Sequence, residues 1–518
     1  MISDAEVNSA LRRYWGYESF RRLQQRIVRS LLQGRDACVV MPTGGGKSLC
    51  YQLPAALLDW RTAVVISPLI ALMQDQVAQL GEIGIPVAAL NSSLANAQQQ
   101  EIIAGAAKGR YRLLYVSPER LARPDTLEWL ARVPVSFFVI DEAHCISEWG
   151  HEFRPEYRQL SRLRERFPDR PIAAFTASAT QRVRHDILAQ LRLRGADKYI
   201  ASFHRPNLNY VVMECQAKSQ RDLLLRALHR HPGENAIVYS PTIARVEETV
   251  LFLAEKGIPA IGYHGKMAAA ERNRNQERWM SDEVRVLVGT LAFGLGINKA
   301  AVRAVIHLSL PKSIEQYYQE AGRAGRDGLP ADCLLLWQKR DAGLLGHFNS
   351  QIADPAERQR AWERYDQIRG FVESRACRHR QICLHFGEKP KWKTCAACDV
   401  CSGEPEWLFQ PIPRARPKTK KAARPFEGDP QVYAALREWR LATAKQRNVP
   451  AFTVLHDRSL EDLCLAQPQS LAELRQVHGF GERKTATYGE EILGILARLG
   501  NANPPNSSGA TGPDNRDR

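Results

Sequence analysis

A glycine-rich turn between an apolar run and a helical stretch, VVMPTGGGKSL at residues 39–49, constrains this chain more than any other feature. Backbone N–H groups in such a turn can cradle phosphates, Lys47 can reach the β- and γ-phosphates, and Ser48 can hold Mg²⁺. The strict pattern has glycine where this chain has Met41. The strand–turn–helix context nevertheless favours a nucleoside triphosphate site over a structural turn. Its predicted members are Thr43, Gly44, Gly45, Gly46, Lys47 and Ser48.

Short apolar runs alternate with amphipathic stretches before residue 340, which is typical of parallel α/β sheets. Because the runs form two sets, we predict two similar α/β domains, over residues 1–203 and 204–340. The predicted strands are 37–41, 63–67, 112–117, 137–141 and 172–178 in the first domain, and 236–240, 260–265, 285–290, 304–309 and 333–337 in the second.

Beyond these domains the composition changes several times. Residues 341–408 are helical and polar in pattern and contain a cysteine cluster. Residues 409–428 are rich in proline and basic side chains, so they cannot bury a core and predict an extended linker. A 3.6-residue apolar period returns at residues 429–498 and predicts a small all-α module. Residues 499–518 predict a disordered tail.

Two carboxylates, Asp141 and Glu142, follow a predicted strand of the first domain. In an enzyme with a phosphate-binding turn, the first carboxylate supports the metal and the second polarises the attacking water. The second domain lacks such a turn but has Arg323 and Arg326 about one helical turn apart. These arginines could face a phosphate across a domain cleft and stabilise the transferring phosphoryl group. A surface pair of arginines is the alternative.

An aromatic segment follows these carboxylates in the run DEAHCISEWGHEFRPEY, residues 141–157. Trp149 and Phe153, with His151 between them, offer faces for base stacking, and Arg154 can pair with a phosphate. We name residues 149–157 the aromatic loop. The short tether AHCISEW means that a moving loop can move the carboxylates. Aromatic core residues beneath a long loop are the alternative.

Three cysteines at two-residue gaps, Cys395, Cys398 and Cys401, can converge on one metal ion. Zinc is the favoured ion, although an iron–sulfur cluster also fits four cysteines. A fourth ligand must come from upstream. The upstream candidates are Cys377, His379, Cys383 and His385.

The formal net charge of +16 suits a polyanionic partner such as nucleic acid, although a solvated basic surface gives the same balance. No stretch approaches the roughly 18 uncharged apolar residues of a membrane span. The start, MISDAEVNSA, lacks the basic-then-apolar pattern of a secretory signal. We therefore expect a cytoplasmic protein, nucleoid-associated if bacterial, without a membrane partner.

Several motifs in this order resemble those of superfamily 2 helicases: MPTGGGKS, SPLIALMQDQV, DEAH, FTASAT, GTLAFGLGINK and QEAGRAGRDG. The aromatic loop and FHRPNLNY, residues 203–210, resemble the RecQ family of DNA helicases. The resemblance covers residues 10–401 and 429–498. It implies α/β architecture with two tandem RecA-like domains, a helical zinc-binding subdomain and an HRDC-like module. The implied activity is ATP-dependent, 3′-to-5′ unwinding of single-stranded, forked or partially duplex DNA, with Mg²⁺ and Zn²⁺.

The resemblance also assigns roles by position. Tyr17 would stack on adenine, Gln24 would read its edge, and Arg21 would lie beside them. The family's zinc site has one cysteine before CxxCxxC, which selects Cys377 and leaves Cys383 in the core. The aromatic loop would sense DNA and switch on hydrolysis. The segment FTASAT would link the carboxylates to the inter-domain cleft, and Ser178 would supply its hydroxyl group. The implied catalytic set is Lys47, Asp141, Glu142, His144, Arg323 and Arg326.

The chain departs from the family pattern after the zinc site, where a winged-helix domain usually follows. Only residues 402–428 separate Cys401 from the helical module, and a domain takes at least about 50 residues. We therefore expect no winged helix there. The motif HGFGERK, residues 478–484, could present Lys484 to a phosphate, or the module could contact protein.

Three alternatives to a DNA helicase follow. A translocase would move along DNA without separating strands, as the missing winged helix allows. An RNA helicase fits the aromatic loop and cysteine cluster less well. A nucleotide-gated DNA-binding scaffold would not turn over ATP, which the intact predicted catalytic residues argue against.

Overall fold

The chain divides into two compact units, one from residues 1–10 and 19–423 and the other from residues 11–18 and 424–518. The computed structural model describes residues 2–92, 94–290, 299–410, 429–447 and 451–500. Most of the GTLAFGLGINK motif, most of the basic linker and residues 501–518 of the predicted tail lie outside the described residues.

The first unit begins with a seven-stranded parallel sheet in the order β3-β4-β2-β5-β6-β1-β7. Its strands are β1 Ala37–Val40, β2 Thr62–Ile66, β3 Val87–Leu90, β4 Leu113–Val116, β5 Val135–Ile140, β6 Ile172–Thr176 and β7 Asp197–Ile200. Its helices are α1 Asp4–Ala10, α2 Gln24–Leu32, α3 Lys47–Leu57, α4 Ile70–Glu82, α5 Asn96–Ala107, α6 Pro118–Leu121, α7 Pro124–Leu130, α8 Ser161–Arg166 and α9 Gln181–Gln190. Short 3₁₀ turns span Ala143–Ile146 and Pro155–Leu160.

All five strands predicted for this sheet form, and they are buried along their whole length because the sheet is covered on both faces. The sequence analysis missed β3 and β7, which lie at the two edges of the sheet. Each has only four residues, and β7 reads DKYI with an exposed lysine and an exposed isoleucine. β7 therefore lacks the continuous apolar run that marked the central strands, whereas β3 reads VAAL and was missed although it has one.

A second parallel sheet follows in the same unit, with strand order β10-β11-β9-β12-β13-β8. Its strands are β8 Leu208–Glu214, β9 Asn235–Tyr239, β10 Ala260–Tyr263, β11 Val286–Gly289, β12 Val302–His307 and β13 Ala331–Trp337. Its helices are α10 Ala217–Arg230, α11 Ile243–Glu255, α12 Ala269–Met280 and α13 Ile314–Ala321. The five predicted strands are present, and the missed strand, β8, again lies at an edge.

A helical region completes the first unit with α14 Lys339–Ser350, α15 Pro355–Glu373, α16 Arg378–His385 and α17 Asp399–Ser402, then a 3₁₀ turn at Glu406–Leu408. The Arg378 Nη2 and Asp399 Oδ2 atoms lie 2.9 Å apart in a buried ion pair that joins α16 to α17. The Tyr210 backbone N–H of β8 donates to the Ala397 carbonyl at 3.2 Å. These contacts hold the cysteine-bearing segment against the second sheet.

The second unit packs α18 Pro430–Gln446, α19 Ala451–Val454, α20 Asp457–Ala466, α21 Leu471–Leu474 and α22 Glu482–Gly500 around one apolar core. The two sheets, the helical region and these helices confirm the predicted fold class. In the described part of the chain, every helix is too short or too polar to cross a bilayer.

A short N-terminal segment also belongs to the second unit, although the sequence analysis places it in the first α/β domain. It includes a π-helical turn at Leu11–Trp15. The Arg13 Nε and Glu482 Oε2 atoms form an ion pair at 3.0 Å. Gly16 has φ of +67°, and a Cβ there would lie 2.8 Å from the Phe480 backbone nitrogen, so the close approach requires glycine.

Lys484 does not face a phosphate in this unit. Its side chain is only 7% exposed. Its ammonium donates to the carbonyls of Thr453, at 3.2 Å, and Val454, at 2.9 Å. A buried ammonium needs such acceptors, so the prediction that Lys484 meets a phosphate is wrong.

Candidate functional site

The glycine-rich turn joins β1 to α3, which begins at Lys47. Gly46 precedes the helix with φ of +79°, and a Cβ there would overlap the Gln24 side-chain amide. The first N–H groups of a helix have no intrahelical partner, and the helix dipole favours an anion beside them. The turn therefore offers backbone donors and the Lys47 cation to one phosphate chain, and we name it the phosphate-binding turn.

Arg21 and Gln24, which the resemblance assigns to the adenine, brace this turn. The Gln24 Nε2 atom lies 3.3 Å from the Gly45 carbonyl oxygen and 3.2 Å from that of Gly46. The Arg21 Nη1 atom donates to the Gly44 carbonyl at 2.7 Å. Both side chains therefore connect the start of α2 to the phosphate-binding turn.

Tyr17, the third predicted adenine contact, lies in the second unit. Its ring centroid is 5.0 Å from that of His478, with the two ring planes tilted by 31°. Sequence spacing did not indicate this ring contact, because His478 lies far along the chain.

Asp141 and Glu142 follow β5, and their carboxylates are charged neighbours of Lys47. Burial and the adjacent Glu142 carboxylate raise the pKa of Asp141 to about 7. Burial alone would raise the pKa of Glu142, but the hydrogen bond from His144 and the charge of Lys47 outweigh it and lower that pKa to about 2. Desolvation lowers the pKa of the Lys47 ammonium, against the opposing effect of the two carboxylates.

The backbone at Glu142 is held in a sparsely populated conformation. Its φ of +47° is in the left-handed region, which costs a non-glycine residue on the order of 1 kcal/mol. The Glu142 Oε2 and His144 Nδ1 atoms lie 3.3 Å apart, and His144 Nδ1 is 3.0 Å from Thr176 Oγ1. His144 therefore fixes the Glu142 side chain against the end of β6.

Arg323 and Arg326 lie on the second sheet's side of the same site. Arg323 is buried, and a Cβ added at Gly44 would come 3.1 Å from the Arg326 Cγ atom. Burial and the nearby Arg323 and Arg205 guanidinium groups lower the pKa of Arg326 to about 9. The arginine predicted to contact phosphate therefore reaches the phosphate-binding turn of the other sheet.

Arg205 is a site residue that the sequence analysis missed. Its Nη1 atom donates to the Thr43 carbonyl at 3.2 Å, and Nη2 donates to those of Ala324, at 3.1 Å, and Gly325, at 3.0 Å. Arg205 therefore connects the phosphate-binding turn to QEAGRAGRDG, residues 319–328, which we name the arginine motif. The available signal was FHRPNLNY, which served only to identify the family resemblance.

A second bridge between the sheets involves Ser178. The Gln319 Nε2 atom of α13 donates to the Ser178 Oγ atom at 2.8 Å. Ser178 follows β6, whose Thr176 contacts His144. The hydroxyl position of FTASAT is thus connected to the helix that precedes the arginines.

The aromatic loop presents Trp149 and Phe153 as half-buried side chains, so neither belongs to the core. The Arg182 guanidinium carbon lies 3.0 Å from the Trp149 ring centroid, and that of Arg158 lies 5.3 Å from the Phe153 centroid. These are cation–π contacts, worth about 0.5–1 kcal/mol when exposed. An arginine thus lies against each of the two rings predicted to stack on bases.

Two further loop residues contact the protein itself. His151 stacks on His144 with ring centroids 4.6 Å apart and planes 8° from parallel. The Arg154 Nη1 atom donates to the Pro68 carbonyl at 3.3 Å. His151 therefore contacts His144, the residue that fixes Glu142. Coupling of the loop to the carboxylates stays a prediction.

Tyr157 gives the loop a second connection to the carboxylates, which the sequence analysis missed. Its side chain is fully buried, and its hydroxyl donates to the Asp141 carbonyl at 3.0 Å. The loop is therefore attached near the carboxylates at both ends.

The thiols of Cys377, Cys395, Cys398 and Cys401 all lie within 4.8 Å of one another. A tetrahedral zinc ion with Zn–S bonds of about 2.3 Å separates its sulfurs by roughly 3.8 Å, so the four residues fit zinc. An iron–sulfur cluster would need more space between the thiols.

The three other upstream candidates lie outside this group. Cys383 is fully buried in the core, as predicted. His379 Nε2 lies 2.9 Å from the Leu208 carbonyl, and His385 Nε2 lies 2.7 Å from Glu315 Oε1.

Four family models match the chain: DEAD/DEAH box helicase at residues 21–187, helicase conserved C-terminal domain at 219–328, RecQ zinc-binding at 339–402 and HRDC domain at 429–496. The ATP-dependent DNA helicase RecQ of Haemophilus influenzae is 44% identical and aligns with 78% of this chain and 65% of its own length. RecQ of Pasteurella multocida is 42% identical over 76% of this chain and 61% of its own. The chain thus spans less than two thirds of these two relatives.

RecQ of Bacillus subtilis is 32% identical and aligns with 94% of this chain and 98% of its own length. Among solved structures, Mss116p bound to single-stranded RNA and AMP-PNP has a TM-score of 0.55 at 19% identity, covering 67% of this chain and 75% of its own. Helicase MrfA bound to DNA and AMPPNP has a TM-score of 0.53 at 21% identity, covering 67% of this chain and 52% of its own. At such low identity, the two structures support the fold alone.

Proposed function

This chain belongs to the RecQ family, and on that premise we propose that it is an ATP-dependent DNA helicase. It couples ATP hydrolysis to 3′-to-5′ movement on single-stranded DNA and to separation of duplex strands. The proposal rests on one contact, in which Arg326 of the second sheet's domain approaches Gly44 of the phosphate-binding turn. A site assembled from two sheets links hydrolysis to their relative movement.

In this proposal the phosphate-binding turn and Lys47 hold the triphosphate of ATP. Ser48 and Asp141 would hold Mg²⁺, which would neutralise charge on the phosphates. Glu142, oriented by His144, polarises the attacking water. The full proposed nucleotide set is Tyr17, Arg21, Gln24, Thr43, Gly44, Gly45, Gly46, Lys47 and Ser48, with Arg323 and Arg326 stabilising the phosphoryl charge.

The proposed partner is DNA that is single-stranded, forked or partially duplex, and the proposed setting is DNA repair and recombination in the cytoplasm or nucleoid. A base that stacks on Trp149 displaces Arg182 from the ring and releases it toward the DNA phosphates. The exchange moves the loop, and with it His151, which contacts His144. DNA binding thereby adjusts the position of Glu142.

A second candidate function is a DNA-stimulated translocase that separates strands weakly or not at all. The segment between Cys401 and α18 supports it, because residues 402–428 are fewer than a winged-helix domain needs. A nucleotide-gated scaffold without turnover is disfavoured by the convergence of Lys47, Glu142 and Arg326. Neither alternative changes the proposed nucleotide site.

The direct test is to measure ATP hydrolysis with and without single-stranded DNA, then unwinding of duplexes with a 3′ or a 5′ single-stranded tail. We expect hydrolysis to rise at least about tenfold with DNA and only the 3′-tailed duplex to unwind. Unwinding of the 5′-tailed duplex alone would refute the proposed direction.

Replacing both loop aromatics, Trp149→Ala with Phe153→Ala, should abolish DNA stimulation while basal hydrolysis stays unchanged. Each ring offers a stacked base about 1–3 kcal/mol, and neither contacts the phosphate-binding turn. Trp60→Ala is the matched control, because Trp60 is exposed and also has an arginine, Arg112, over its ring. Full DNA stimulation of a stably folded double variant would exclude the loop as the coupling element.

We also propose that the four clustered cysteines hold one structural Zn²⁺. Cys398→Ala should lose the metal and lower the melting temperature by about 5 °C or more, because metal binding is part of folding at such sites. Elemental analysis of the parent should give about one zinc per chain. Cys383→Ala, on α16 but outside the cluster, should keep its zinc. Iron with visible absorbance in the parent would instead indicate a cluster.

A further inference from the structure

Glu315, at the start of α13, is a buried carboxylate where the second sheet's domain meets the helical region. It is 7% exposed and belongs to the second sheet's domain. Its Oε1 atom lies 2.7 Å from the Nε2 atom of His385, the last residue of α16. A buried carboxylate of this kind requires a hydrogen-bond donor, which His385 supplies.

The histidine partner comes from the helix that begins beside the cysteine cluster. Cys377 directly precedes α16, and His385 ends it, so this one short helix spans from the metal ligands to Glu315. At 1.5 Å per residue, eight residues cover about 12 Å. A displacement at the cysteine end of so short a helix reaches the histidine end as a rigid movement.

Aromatic packing fixes the histidine end of α16. Phe386, the next residue, is fully buried and stacks on Phe203 with ring centroids 4.3 Å apart. Its ring is also 5.1 Å from that of Tyr318 on α13. The Arg184 Nη2 atom donates to the Phe386 carbonyl at 3.2 Å. His385 thus contacts Glu315 from a position held by both α/β domains.

The helix α13 carries this contact toward the nucleotide site. Gln319, one turn beyond Glu315, donates to Ser178 at 2.8 Å, and Arg323 follows the end of α13. Beyond Ser178, the Thr176 hydroxyl donates to the Ser178 carbonyl at 3.2 Å and lies 3.0 Å from Nδ1 of His144, which fixes Glu142. Glu315 is therefore placed to influence both the arginine motif and the water-polarising carboxylate.

We propose that His385 is a positioning residue for ATP hydrolysis, acting through Glu315 to hold α13 in place against Ser178 and the arginines that follow the helix. The cysteine-bearing helix is then the third element of the coupling path, besides the two sheets. This inference rests on the proposed DNA-stimulated ATPase activity. His385 contacts neither nucleotide nor metal in this account, since it lies outside the group of four thiols.

The test measures the DNA-stimulated ATPase of the full-length chain carrying His385→Ala, Glu315→Gln or both. We expect each single variant to lose about fivefold in stimulated kcat, with the KM for ATP unchanged, as coupling residues typically contribute such amounts. Because both act through one contact, the double variant should lose no more than either single variant. His385→Gln, which can still donate to Glu315, should recover part of the loss.

Three controls separate positioning from folding. Leu384→Ala alters the neighbouring exposed residue on α16 and should leave kcat unchanged. Zinc content and melting temperature should match the parent in Glu315→Gln, which keeps the shape of the side chain. The inference would be overturned if the kcat losses of the two single variants multiply in the double variant, or if Glu315→Gln keeps full DNA stimulation. A parent without DNA stimulation would instead refute the proposed function.

Discussion

Lys47→Ala is expected to abolish ATP hydrolysis while leaving DNA binding intact. The Lys47 ammonium lies in the phosphate-binding turn with Asp141 and Glu142 as charged neighbours, and its removal deletes the cation proposed to contact the phosphates. We expect kcat to fall by at least about 100-fold, which corresponds to about 2.7 kcal/mol of transition-state stabilisation. Steady-state ATPase assays and DNA-binding titrations measure the two effects separately.

The matched control is Lys198→Ala. Lys198 is an exposed lysine on β7 of the same sheet, away from the turn. Its removal changes the net charge by the same amount and should leave hydrolysis at the parent rate. Turnover near the parent rate in Lys47→Ala would disprove the assignment of the phosphate-binding turn.

Arg326→Ala should lower kcat by about 1,000-fold, the lower end of what an arginine finger supplies. The KM for ATP should change little, because the charge that Arg326 meets develops in the transition state. Arg326→Lys should not recover the rate, since an ammonium lacks the planar fork of a guanidinium. The melting temperature is measured beside kcat, so that a loss of folding is distinguished from a loss of catalysis.

Arg274→Ala serves as its control, because Arg274 is an exposed arginine on α12 of the same domain. It should retain the parent kcat. A rate within about tenfold of the parent in Arg326→Ala would mean that the second sheet does not take part in the chemistry.

The central strands and the phosphate-binding turn were predictable from sequence because each has a local signal. A strand covered on both faces needs a continuous apolar run, and a turn that cradles phosphate needs glycine before a helix. Of the missed edge strands, β7 reads DKYI and lacks that local signal, whereas β3 and β8 contain only the short apolar runs VAAL and YVVM. Their pairing depends on partners far away in the sequence.

The missed site residues share a different cause. Arg205 and Tyr157 act by donating to backbone carbonyls, of Thr43 and Asp141, that are remote or irregular in sequence spacing. No residue-type pattern encodes such a partner. The wrong prediction for Lys484 has the same origin, since its two carbonyl acceptors precede it by about 30 residues.

The cysteine cluster shows where sequence and structure contribute separately. Spacing alone predicted that Cys395, Cys398 and Cys401 bind one metal ion, but it left four upstream candidates for the fourth ligand. The fold selects Cys377 because α16 begins there, while His385 is carried to the other end of that helix and meets Glu315.

The account is tested most directly by following ATP turnover and strand separation together on one forked DNA substrate. We predict that both occur, that both require Mg²⁺ and ATP, and that both are lost in Lys47→Ala. Turnover without strand separation would contradict the proposed helicase activity and indicate the translocase, whereas DNA binding without turnover would contradict the enzymatic assignment altogether.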